Sequence, residues 1–187
     1  GAMTKDLMDI TTVDIQVTNV LSVLAILVIV GLTFKSFTVP VILVAAIELS
    51  IFINQGIPAL TGTVIPFVSP IVIGCIQLGA TVDYAILMTT RYKAERAAGK
   101  SKRDAVSIAL GASIPSILVS GMGLFAATFG VAAYSDIDII SSMCSLMARG
   151  AIISMLCVIL ILPALLMLCD GLIRHTTLGM KVKKEEN

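Results

Sequence analysis

The sequence predicts an all-α fold, a polytopic membrane helix bundle of five transmembrane helices with the N-terminus outside and the C-terminus inside. Three observations predict it. The 187 residues are 57% hydrophobic and 13% charged, about half the charged share of a soluble domain. Mean hydropathy is +1.02. Apolar stretches of helix-spanning length recur along the chain, without the alternation of a membrane barrel. A chain this apolar cannot cover a soluble surface, which excludes a water-soluble enzyme. A net charge of +1 argues against binding nucleic acid.

The elements follow in order. The first span runs from about Val17 to Phe34, with no charge between Asp14 and Lys35. The second covers Phe37 to Ile57, carries Glu48 and is punctuated by Pro40. A Gly/Pro/Thr stretch, Gln55 to Thr63, closes it. The third runs from Val64 to Tyr92 and contains Pro66, Pro70, Gln77 and Asp83. Arg91 to Arg103 reads as a basic loop. The fourth span begins near Asp104 and ends at Tyr134, and the fifth, with Arg149 and Pro163, runs from about Ile139 to Leu168. This divides the chain into an extracytoplasmic segment (1–16), a five-helix transmembrane domain (17–170) and a cytoplasmic tail (171–187). Gly1-Ala2-Met3 reads as a remnant of tag removal.

Orientation comes from Lys and Arg. With five spans, Lys35, the Arg91–Arg103 loop and the tail share one side, which then holds 11 of the 13 basic residues. The other side holds only Lys5, beside Asp6, Asp9, Asp14, Asp136 and Asp138. The polar, acidic start is not a cleavable signal. An external N-terminus is an unusual beginning for an odd number of helices. The sequence is therefore expected to be a piece of a larger transporter, with an earlier helix and an external domain upstream. Cys75, Cys144, Cys157 and Cys169 lie in apolar stretches and read as buried small hydrophobes. His175 stands alone, so no metal site and no cofactor are expected.

Ionisable residues inside spans are costly and mark function. Asp83 is the strongest candidate, roughly 12 Å from the inner end of its span by helix rise. Tyr84 offers a hydroxyl beside it, and Gly79 and Ala80, one turn back, admit a close neighbour. Glu48, near mid-membrane, reads equally as a second relay group or as a helix-packing residue. Arg149 lies near the outer boundary, where snorkelling or an ion pair with Asp136 or Asp138 would account for it. In the fourth span Ser113, Ser116, Ser120, Gly123, Ala127 and Gly130 form a small-residue stripe, which in lipid is a helix-packing surface. Ser116 or Ser120 could donate a hydrogen bond to Asp83. Gln77, Glu48, Ser116 and Ser120 are thus candidate relay or packing partners.

The run Ile76-Gln77-Leu78-Gly79-Ala80-Thr81-Val82-Asp83-Tyr84-Ala85-Ile86-Leu87, followed by Thr90-Arg91-Tyr92-Lys93-Ala94-Glu95-Arg96, resembles the Asp-Tyr transmembrane motif of the MMPL group of the resistance–nodulation–cell division (RND) superfamily. Arg149-Gly150-Ala151 and Leu162-Pro163-Ala164-Leu165-Leu166 resemble that group's last helix. The resemblance implies two six-helix repeats with large external domains, and proton-driven export of lipids, hydrophobic compounds or drugs. The five spans would be the last five helices of one repeat, the C-terminal one favoured. Asp83 and Tyr84 would supply half of the proton relay. The implied partners are membrane lipid, the N-terminal repeat and the extracytoplasmic domains, or a parallel second copy. The implied location is the bacterial cytoplasmic membrane. The alternative is a lipid- or sterol-sensing regulatory domain built on the same helix core.

Overall fold

The computed structural model describes residues 2–62 and 69–176. Five long helices, α1 (Ala2–Phe34), α2 (Thr38–Thr61), α3 (Ser69–Ala97), α4 (Lys102–Tyr134) and α5 (Asp138–Leu168), are followed by a short α6 (Asp170–Thr176). There is no strand among the described residues. Each long helix contains a stretch long and apolar enough to cross a membrane, as expected where lipid leaves the backbone no other hydrogen-bond partner. The chain is a multi-pass membrane protein.

The helix ends differ instructively from the sequence reading. No Gly or Pro falls between Met3 and Val30, so nothing interrupts α1, and it continues back through the polar start. Its apolar part is Val13–Phe34. It ends at Lys35, in the left-handed region at φ 47°. Lys93 of α3 closes that end: its Nζ donates to Phe34 O at 2.9 Å and lies 5.0 Å from the Phe34 ring centroid. A cation there satisfies a terminal carbonyl and opposes the helix dipole.

α2 runs on to Thr61, through the stretch read as a break. Pro58 falls in its last turns, where a missing N–H is tolerated if the freed carbonyl finds another donor. Gly62, at φ 66°, stops the helix and returns its N–H to Pro58 O. The expected start of the third span at Val64, with Pro66, lies outside the described residues. α3 passes Tyr92 and ends at Ala97, so much of the basic loop is helix. The turn itself is short, with Gly99 at φ 86°. Ser101 caps α4, accepting from Asp104 N at 3.2 Å and donating to Asp104 Oδ2 at 2.8 Å.

Helix α5 is the hub, packed against α2, α3 and α4, while α1 leans on α2 and α3. α4 and α5 approach closely at Gly121, where a Cβ would stand 3.0 Å from Met155 Sδ. The largest apolar core gathers toward the basic end, around Val39, Leu43, Met88, Tyr92, Leu162 and Leu166. That core holds the helices in place and leaves the polar side chains farther from the basic end to define the site.

Candidate functional site

Asp83 sits at the centre of α3, 14 residues from either end, or roughly 21 Å by helix rise. It is deeper than the sequence reading placed it because α3 does not stop at Tyr92. Asp83 is exposed on the bundle surface, whereas Tyr84 is 7% exposed. Adjacent helical positions are turned about 100° apart, so one points outward while the next points in. Ser116 and Ser120 bracket the middle of α4, at a comparable distance along the bundle. Both are exposed, and no hydrogen bond joins either to Asp83 among the described residues.

Apart from Ser113, which is buried, the small-residue stripe does not pack inside this chain. Ser116, Ser120, Gly123 and Ala127 are exposed and Gly130 is half-buried, as is Ala80, while Gly79 is exposed. A Cβ built on Gly79, Gly123 or Gly130 meets nothing within 4 Å. The alternating spacing carries the stripe along the flank of α4. The face that packs on α3 and α5 carries Ala109, Ser113, Ile117 and Gly121 instead.

Across α2, α3 and α5 runs a buried polar network. Ser50 and Asn54 lie one turn apart on α2, Gly150 and Ser154 one turn apart on α5, and Gln77 reaches in from α3. Asn54 Nδ2 donates to Gln77 Oε1 at 2.9 Å and to Leu146 O at 3.2 Å. Gln77 Nε2 donates to Ser154 Oγ at 2.9 Å and more weakly to Ser50 Oγ at 3.4 Å. Ser50 Oγ donates to Ile47 O at 2.7 Å. Arg149 completes the set, with Nε on Asn54 Oδ1 and Nη2 on Asn54 O, both at 3.0 Å.

This arrangement corrects the reading of Arg149, whose recorded hydrogen bonds go to Asn54 and not to Asp136 or Asp138. The physical cause is Pro58. It lacks the N–H that would bond the carbonyl of Asn54 four residues earlier, and the guanidinium takes that acceptor. Gly150 is required for the approach: a Cβ would stand 2.6 Å from Asn54 Nδ2 and 2.8 Å from Gln77 Oε1. Of these residues the sequence singles out Gln77, as a relay or packing partner; here it is buried and hydrogen-bonded to Asn54 and Ser154. Asn54, Ser50 and Ser154 carried no flag in the sequence. A proline four residues after an Asn, with an Arg-Gly pair in another span, is the signal that could have found them.

Glu48 takes no part in that network. It lines a cavity of about 70 Å³ between α1, α2 and α3, and its Oε1 is buried without a hydrogen-bond partner among the described residues.

At the basic end lies a second polar cluster, built around Arg96, Asp170 and Tyr92. Arg96 and Asp170 are 2% and 1% exposed. Arg96 Nη2 donates to Asp170 Oδ2 at 2.7 Å and Nε to Oδ1 at 3.0 Å, while Tyr92 Oη donates to Oδ1 at 2.6 Å. Arg96 Nη1 also bonds Lys100 O at 2.6 Å. Burial pushes the Asp170 carboxyl up, but the hydrogen bonds from Arg96 and Tyr92 and the charges of Arg96 and Lys102 outweigh it, holding the carboxyl below the usual carboxylate range. This cluster ties α3 to the α5–α6 junction.

Comparisons with known proteins place the whole arrangement. The chain is 24% identical over 170 residues to "Probable transport protein MmpL12" of Mycobacterium tuberculosis, found with the same match in two strains. The match covers 89% of this chain and 15% of that protein, so the chain spans a small part of the relative's length. No solved structure matches it. The family model for the MMPL family matches residues 1–182, and the chain belongs to that family.

Proposed function

We propose that this chain is the membrane core of one repeat of a proton-motive-force-driven exporter of lipids, hydrophobic compounds or drugs, with its N-terminus outside and its C-terminus on the cytoplasmic side of a bacterial plasma membrane. The observation that carries the reading is the placement of Asp83: a carboxyl at mid-helix, on the outer surface of the bundle, with a buried tyrosine next to it. A carboxylate facing lipid is costly, so that surface calls for a covering partner. The neighbouring α4 presents exposed Ser116, Ser120, Gly123 and Ala127, small side chains that admit another helix. The partner is the other repeat of a longer transporter, whose external domains handle substrate. Within such a pair Asp83 takes up and releases the proton, Tyr84 is its hydroxyl neighbour, and the isolated chain does not move substrate.

The test is Asp83→Asn in the full-length transporter. Export is lost while the protein still reaches the membrane and keeps its thermal stability. Unchanged export by that variant would falsify the relay and favour the lipid-sensing alternative. A parallel pair of this chain alone, seen by native mass spectrometry in detergent, would show that a second copy can cover the same face.

A further inference from the structure

The cavity between α1, α2 and α3 has the makings of a site that the Asp83 reading does not use. Its polar lining is Thr18 and Asn19 from α1 and Glu48 and Gln55 from α2, with Gly74 and Cys75 of α3 opposite. Its volume of about 70 Å³ exceeds the ≳10–15 Å³ that one water requires. Glu48 sits ten residues into α2, near its middle, and Oε1 is buried with no hydrogen-bond partner among the described residues. Gln55 Nε2 donates to Pro70 O at 3.4 Å, so its amide oxygen is the end of the side chain that can accept or ligate. Gly74 keeps the opposite wall low: a Cβ there would come 3.7 Å from Gln55 Nε2.

A carboxyl in a membrane interior must be neutralised, by a proton or by a cation. Among the described residues no basic side chain lines this cavity. Arg149 is committed to Asn54. Apart from Glu48, the one titratable side chain in the lining among the described residues is Cys75; Asp14, adjacent to Ile15 on α1, is exposed. Neutral oxygen donors around a single carboxylate suit a compact, hard cation.

We propose that this cavity is a binding site for a small monovalent cation, either a sodium ion or a proton carried on water, with Glu48 as its anionic ligand and Thr18, Asn19 and Gln55 as neutral ones. The proposal stands apart from the Asp83 relay and survives its failure.

Cys75 provides the readout, because it lines the cavity. The chain is placed in lipid nanodiscs, and sodium chloride replaces N-methylglucamine chloride at constant ionic strength and pH. Alkylation of Cys75 by iodoacetamide is followed by mass spectrometry, with Cys144 as internal reference. With a sodium ion bound, Cys75 reacts severalfold more slowly in sodium, and Glu48→Gln abolishes the protection. With a proton as ligand, sodium has no effect. Infrared difference spectra on acidification then show a protonated carboxyl band that shifts promptly in D₂O and is missing in Glu48→Gln. Asn19→Leu keeps the carboxyl and weakens the sodium protection or moves the infrared titration, which covers a misfolded Glu48→Gln. Absence of both the sodium effect and the exchangeable band overturns the proposal, as does either signal persisting unchanged in both variants.

Discussion

Two arginines are drawn into this bundle on opposite terms. Arg96, at the basic end, meets a carboxylate in a two-pronged ion pair, with a tyrosine completing the set. Arg149, in the other half, meets only neutral oxygens among the described residues, a side-chain amide and a backbone carbonyl. The first pairing cancels charge; the second keeps a positive charge inside and spreads it over dipoles. Charge placement alone does not predict which arrangement an intramembrane arginine adopts. The deciding factor is what the facing helix has left unsatisfied.

The largest expected effect comes from breaking the ion pair. Asp170→Asn removes the carboxylate that holds the buried Arg96 in a two-pronged ion pair, and such a break costs about 3–5 kcal/mol. Thermal unfolding of the purified chain should show a large loss of stability. Acid should act in the same direction. The folded carboxyl lies below its ordinary value of 3.8, so the unfolded chain takes up that proton first as pH falls. The stabilisation is complete above that ordinary value and disappears as pH falls through the lowered one. A stability profile flat across that acid range in the unaltered chain, but acid-sensitive in Asp170→Asn, would contradict the pairing.

Gly150→Ala tests the neutral network. The added methyl would meet Asn54 Nδ2 and Gln77 Oε1 well inside contact distance, and overpacking of this kind costs about 1–3 kcal/mol. Gly123→Ala, with nothing near its Cβ in this chain, is the matched control and should leave monomer stability almost unchanged. Of the three destabilising changes the smallest effect is expected of Arg149→Met, which removes a charge as well as two hydrogen bonds. Membrane hydrogen bonds average roughly 0.6 kcal/mol each, so the loss should come to about 1 kcal/mol. If Arg149→Met proved as damaging as Asp170→Asn, the contrast between the two arginines would collapse.

Much of this was legible in advance, and the remainder has identifiable reasons for being hidden. Five apolar runs announce five helices, because lipid permits little else. Asp83 and Tyr84 stand out, because an acid followed by a phenol is unexpected in a span. The extent of α3 was missed because Arg91–Arg96 looks like a solvated loop. Its helical spacing brings Tyr92 and Arg96 onto one face, and their partner, Asp170, is far away in sequence. The stripe on α4 was found, but its spacing does not say which neighbour it faces. The Asn54–Gln77–Ser154 network was invisible because each member alone is an ordinary polar residue. Only the crossing of three helices gives them a common purpose.

Pro58 has a consequence that reaches beyond its own helix. By withholding one donor it hands an acceptor of α2 to a side chain 91 positions later, so the tolerance of either residue depends on the other. With an alanine at 58 the ladder would reclaim the Asn54 carbonyl, and Arg149 would become partly redundant. With proline in place, Arg149 is the tenant of a vacancy that its own helix did not create. The two positions act as one unit, and a change at one alters which substitutions the other can accept.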